Sequence, residues 1–332
     1  MELHHYDEVT SCNNRYYIAE HERAEYELTN EHIHVMLHQE DTSYAPCVDY
    51  TSEEEEGGHP KSINNWWRQM VCEWAFDVAD HFGYSREIVS LTMNYLDRYT
   101  SAFFVDKDAE LCKKRFQLSS AACLLISAKI TGAFQSDKER IRRLRTSTLV
   151  ELGCGLFSVE AIEQMEKEVF SVLRWRINPP TAIRFISHFM QLFPKYGRSG
   201  AVPKTVIISI FEKARYLSEL SVGVAFLAIK CKQSAVAVAS LLNAMECISI
   251  GSLPQDVRTS FAHKLTSVTR VPSNSSEITT IRKLLREACP NLSEVAPFVS
   301  GVVSDDDDGD AVRRGPLCLS GKMIGQKRRR AS

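Results

Sequence analysis

Between Phe116 and Ala128 the chain reads FQLSSAACLLISA, without one charged residue. Wound at 3.6 residues per turn, this segment is apolar or small on nearly every side, so it demands neighbours all round. It predicts a hub helix, and it commits the flanking chain to supplying amphipathic helices that pack on it. The flanks do so. NNWWRQMVCEWAFDVADHFG is amphipathic and ends at Gly83, and SREIVSLTMNYLDRYTS follows with Ser85 placed as an N-cap. After the hub come a shorter helix near TSTLVEL and a last one opened by Ser158, where Ile162, Met165, Val169, Val172 and Leu173 share a face.

Asn178, Pro179 and Pro180 then break the chain, because proline lacks an N–H donor and restricts the residue before it. Beyond them the pattern recurs as TAIRFISHFMQLF, KTVIISIFEKARYLSELSV, SAVAVASLLNAMECI, DVRTSFAHKLTSVT and EITTIRKLLREAC. The small-residue third member matches the hub of the first half. The expected fold class is therefore all-α, with two tandem five-helix units at 61–178 and 179–290. Residues 1–60 read as a polar leader with an acidic run, in which Ile33, Met36 and Leu37 mark a short helix that docks on the following domain. Residues 291–332 read as a disordered acidic and basic tail.

Bulk properties narrow the function. A formal charge of -2 over 332 residues argues against a protein that coats nucleic acid. No run is long enough to span a bilayer and the N-terminus lacks a secretory pattern, so the expectation is a soluble intracellular protein with no membrane contact. The ten cysteines include no closely spaced pair, which fits free thiols in a reducing compartment. No nucleotide-binding, zinc-protease or nucleophile-elbow motif occurs, so the reading has no catalytic residue, no metal and no cofactor. His34 and His38 have metal-compatible spacing, but no third ligand stands near them, and they read as a solvated helix face. The basic run KERIRRLRT, Lys138 to Thr146, reads as a solvated face or loop.

Two charges break the apolar patterning. Glu166 falls inside the stripe of the fifth helix, between Ile162 and Leu173, where a carboxylate would lose its water. Lys129 sits on the hub helix in line with Leu118 and Leu125, near a C-terminus that favours a cation. Either the two form an internal salt bridge, or both lie at the rim of an apolar surface that a partner covers, where they fix register.

In order, WRQMVCEW, MNYLDRYTS, FQLSSAACLLISAK and MEKEVFSVLRWRINPPT resemble the cyclin box over about residues 64 to 181, with a looser second box from 182 to 289. HVMLHQEDTSYAP and MNYLDR look most like the D-type subgroup. The resemblance implies a non-enzymatic regulatory subunit that forms a heterodimer with a cyclin-dependent kinase and activates it. It implies that Lys129 and Glu166 reach the kinase, with Ile130, Phe170 and Trp175 beside them. It implies a structural ion pair between Arg68 and Asp97. It also implies a docking patch of Trp67, Met70, Val71, Trp74 and Gln117 for substrates or inhibitors carrying an Arg-x-Leu motif. The sequence AKITGAF departs from the acids that usually follow the family's lysine, and no Leu-x-Cys-x-Glu is present. Two rival readings stand beside this one: a nucleic-acid-bound helical factor of the TFIIB type, and a kinase-free helical scaffold. Lys327, Arg328, Arg329 and Arg330 form a basic run suited to nuclear import, so the expected location is nucleus and cytoplasm.

Overall fold

A computed structural model describes residues 3–51, 63–103, 109–132, 144–198 and 200–294, with side chains throughout except at 3–22, 103 and 109–112. The acidic run Glu53 to Glu56, the basic residues Lys138 to Arg143 and the tail with Lys327 to Arg330 lie outside the described residues.

The described chain is all-α. A leading helix α1 (Leu3–Thr42) is followed by α2 (Asn65–Phe82), α3 (Glu87–Phe103), α4 (Ala109–Gly132), α5 (Thr146–Leu152) and α6 (Val159–Val172). The second set is α7 (Ala182–Gln191), α8 (Lys204–Gly223), α9 (Gln233–Glu246), α10 (Gln255–Thr269) and α11 (Ser276–Ala288). A π-helical turn at Phe226–Lys230 joins α8 to α9. Among the described residues the strand pairing is one short ribbon, Tyr196–Gly197 antiparallel to Gly200–Ala201. Two five-helix sets in tandem are what the recurring pattern predicts.

Local signals explain the boundaries. Asn64 accepts the Trp67 N–H at 3.3 Å and Ser158 accepts that of Ala161 at 3.2 Å, each satisfying an orphan donor of the first turn. Gly83 closes α2 at a φ of 69°, a left-handed conformation that glycine adopts without steric cost. The hub is α4, which packs against α2, α3 and α6. Phe116, Ala122, Cys123, Leu124, Leu125 and Ile126 are fully buried on it, each large side chain contributing about 1.5–3 kcal/mol. Its buried hydroxyls return to the helix itself: Ser120 donates to the Phe116 carbonyl at 2.6 Å and Ser127 to that of Cys123 at 2.9 Å. In the second set α9 takes this role, packed by α7, α8, α10 and α11.

The leader departs from expectation. The helix is longer than the segment 31–40, and its apolar stripe docks on the second set, where Ile33 is fully buried beside α7. Thr29, Ile33, Met36, Leu37 and Glu40 share one face, so a single helix supplies both the apolar contact and two polar anchors. Thr29 Oγ1 donates to Gln191 Oε1 at 2.7 Å. The buried Glu40 carboxylate accepts the Ser234 N–H at 2.9 Å and its hydroxyl at 2.5 Å, capping the start of α9. Periodicity identifies the face but not what covers it.

At this contact His188 of α7 lies edge-on to His32 of α1, ring centroids 5.5 Å apart. Burial, then the nearby His32, holds the His188 imidazole below its usual value of 6.5. An unfolded chain therefore binds a proton there before the folded one does. The contribution to stability is whole above pH 6.5 and is lost as pH falls through the lowered folded value. Glu40 works in the opposite sense, since burial raises its carboxyl. The comparison that isolates His188 is wild type against His188→Asn. The wild type should lose protection of the α1 amides in hydrogen exchange between neutral pH and pH 5, and the variant should lose less. Parallel losses in both proteins would contradict the assignment.

Candidate functional site: a charged rim beside an exposed tryptophan

The end of α4 and the length of α6 lie side by side, and that packing brings the two odd charges together. Lys129 Nζ donates to Glu166 Oε1 at 2.7 Å and to Oε2 at 2.9 Å. The two are unequally exposed: the lysine side chain is 55% accessible and the glutamate 11%. Glu166 is thus sunk in the stripe while its cation stands at the surface, so the pair is an ion pair with one member open to solvent.

Apolar surface continues from it. Phe170, one turn beyond Glu166, is half-buried, as is Ile130 next to Lys129. Trp175 stacks on Phe170 with ring centroids 4.7 Å apart and planes 20° from parallel, yet remains 71% exposed. An indole that open is informative, because tryptophan is usually well buried. The backbone holds it there by an uncommon turn: Leu173 ends α6, and Arg174 and Trp175 follow at φ of 51° and 59°. Two consecutive non-glycine residues in the left-handed region cost about 1–2 kcal/mol each. The Trp175 N–H to Phe170 carbonyl bond, 3.0 Å, closes the turn.

Arg68 and Asp97 meet deep in the first core. Arg68 Nε and Nη2 donate to the two Asp97 oxygens at 2.9 Å each, and neither residue is more than 3% exposed. Burial opposes the guanidinium charge, but the facing carboxylate outweighs it and holds Arg68 above its ordinary value. Two further partners carry no signal in helical periodicity. Tyr50, from the segment before α2, donates its hydroxyl to Asp97 at 2.7 Å. Arg68 Nη1 donates to the Val222 carbonyl at 2.7 Å, an orphan acceptor in the last turn of α8. Val222, Ala225 and Ile229 also enter the first core, so the ion pair ties the two helical sets together.

The residues expected as a docking patch divide. Val71 and Trp74 are 0% and 1% exposed and belong to the core of the first set, with Met70 at 8%. Surface is left to Trp67 and Gln117, both half-buried; Trp67 lies edge-on to Trp66 and has Lys113 Nζ 5.8 Å from its ring centre. His34 and His38 are exposed, and no group of three or more metal-binding side chains occurs among the described residues. No described helix is long and apolar enough to cross a membrane. Cys47, Cys72, Cys123, Cys231, Cys247 and Cys289 are free, and burial pushes the Cys72 thiol up to about 12. Cys154 is disulfide-bonded, which corrects the expectation of free thiols throughout; spacing along the chain does not show which cysteines the fold brings together.

Residues 31–178 match the family model for the cyclin N-terminal domain. Over this segment, a little under half of its length, the chain is similar to cyclins. The chain is 24% identical over 231 residues to Cyclin-D4-2 of Oryza sativa subsp. japonica, covering 68% of the chain and 54% of that protein. It is 28% identical over 155 residues to Cyclin-D3-3 of Arabidopsis thaliana, covering 46% and 40%. Cyclin-A1-2 of Oryza sativa subsp. japonica is 26% identical over 189 residues, covering 57% and 34%. The chain thus spans about half the length, or less, of these relatives, and both D- and A-type names occur among them. A viral cyclin from herpesvirus saimiri superposes with a TM-score of 0.49 at 18% identity, over 68% of this chain and 87% of that one.

Proposed function

We propose that the chain is the regulatory subunit of a cyclin-dependent protein kinase and that the rim of Lys129, Glu166, Ile130, Phe170 and Trp175 is its kinase-binding surface. The observation that carries this reading is the half-open Lys129–Glu166 pair beside an exposed Trp175 stacked on Phe170. Such a surface has an apolar centre and a few orienting charges, the usual composition of a recognition site. Docked there, the kinase's regulatory helix is held inward, which orders the kinase's own lysine–glutamate pair and its activation loop for phosphoryl transfer. The cyclin contributes no catalytic group; ATP and magnesium belong to the kinase. Trp67 and Gln117 are the accessible part of a patch for Arg-x-Leu motifs. The test is purification from cells, identification of what accompanies the chain, and a phosphoryl-transfer assay on the complex. Recovery with nucleic acid, or with proteins that include no kinase, would overturn the reading.

Location is part of the proposal. Lys327, Arg328, Arg329 and Arg330 form the import signal, and replacing all four by alanine in a large fluorescent fusion should shift the protein to the cytoplasm. Unchanged nuclear accumulation in imaged cells would remove the assignment.

A further inference from the structure

The sequence RWR at Arg174–Arg176 sits where α6 ends, and it meets α3 at Arg98. Arg98 is half-buried, donates through Nη1 to the Arg176 carbonyl at 2.8 Å and to Asn94 Oδ1 at 3.4 Å, and lies 5.0 Å from the centre of the Tyr44 ring. None of these partners is an anion. Burial, and further down the balance the neighbouring Arg176, holds the Arg98 guanidinium below its ordinary value. Arg174 and Arg176 are exposed and have no ion-pair partner among the described residues. Glu87, about three turns before Arg98 on α3, is already committed, accepting from Arg184 Nε at 2.7 Å and from Thr181 Oγ1 at 3.0 Å. Among the described residues no carboxylate is paired with Arg98, Arg174 or Arg176, at a place where left-handed backbone also holds Trp175 outward.

An uncompensated cation in partly desolvated surroundings is costly, and an anion bound beside it relieves that cost. The guanidinium fork matches a phosphate bidentately. A phosphate monoester carries about -1.5 to -2 charges and three acceptor oxygens, enough for both arginines. We propose that the seam between Arg98 and Arg176, beside Tyr44, is an anion site that takes a phosphate group borne by a protein segment lying across Trp175. A nucleic acid is the poorer occupant, because the cations here form a short cluster rather than a stripe and the chain carries a net charge of -2. That the segment belongs to a bound partner rests on the kinase-subunit reading; the anion site itself does not.

The experiment titrates the full chain with inorganic phosphate, with a phosphothreonine peptide flanked by alanines, with its unphosphorylated form and with a short oligothymidine. The Arg98 Nε–H resonance is the readout. A saturable shift is expected with phosphate and phosphopeptide, the phosphopeptide binding about tenfold or more tightly than the bare peptide. Arg176→Ala, an exposed position, should weaken phosphopeptide binding about tenfold while leaving thermal unfolding unchanged. No saturable shift, an Arg176→Ala variant that binds like wild type, or oligothymidine binding as tightly as phosphopeptide would each overturn the proposal. Failure of the kinase reading has a different signature: phosphopeptide binds, yet no kinase is recovered from cells. A chain that recovers a kinase but shows no phosphate shift loses only the anion site.

Discussion

Replacing Asp97 by alanine is expected to lower the unfolding free energy by about 3–5 kcal/mol, a large share of the roughly 5–15 kcal/mol that holds a typical protein folded. The reason is what the substitution strands. Arg68 is 0% exposed, and without the carboxylate its guanidinium keeps a single acceptor, the Val222 carbonyl. The Tyr50 hydroxyl loses its acceptor at the same time. Replacing both members, Arg68→Met with Asp97→Leu, removes the uncompensated charge and should cost much less than Asp97→Ala, as is common when a buried ion pair is exchanged for apolar groups. Chemical denaturation of the three proteins measures this. If Asp97→Ala has the wild-type midpoint, the pair is not a structural bolt; if the double variant is the worse of the two, the cost lies in lost hydrogen bonds rather than in a stranded charge.

That bolt also shows what a sequence makes legible and what it withholds. The ten helices α2–α11 are written in apolar residues at three- and four-residue spacings, and two of their ends in Gly83 and Ser158, because these act within one or two turns. The hub follows from the absence of a polar face on FQLSSAACLLISA. Contacts between distant segments leave no such trace. Nothing in the spacing of α8 marks Val222 as the acceptor for Arg68, and nothing around Tyr50 marks it as a donor to Asp97. The stripe Ile33, Met36 and Leu37 says that α1 docks, while its destination on α7 depends on the tertiary fold. Trp175 is a similar case, since its exposure comes from two left-handed residues that hydrophobic patterning does not encode. The Lys129–Glu166 pair was visible as two charges out of pattern; the internal salt bridge is present, with the carboxylate buried and the ammonium exposed, while the partner contact belongs to the proposal.

This asymmetry sets the last expected result. Lys129→Glu should abolish recovery of a kinase with the chain while changing stability by about 1 kcal/mol or less, because an ion pair with one member largely in water is worth little to folding. Covered by a partner, the same pair is desolvated, and removing one member then costs about 2–5 kcal/mol of binding. Reversal does more than removal, since it sets two carboxylates against each other at the centre of the rim. The exchanged pair, Lys129→Glu with Glu166→Lys, separates the two roles. It restores an attractive contact within the chain but presents the opposite polarity to a partner, so stability should return while kinase recovery does not. Denaturation midpoints and kinase activity in the purified complex give both readouts on the same preparations. Should Lys129→Glu instead unfold at far lower denaturant, the pair acts chiefly inside the protein; should it recover active kinase as well as wild type does, the rim is not the contact surface and the binding face must be sought elsewhere on the first helical set.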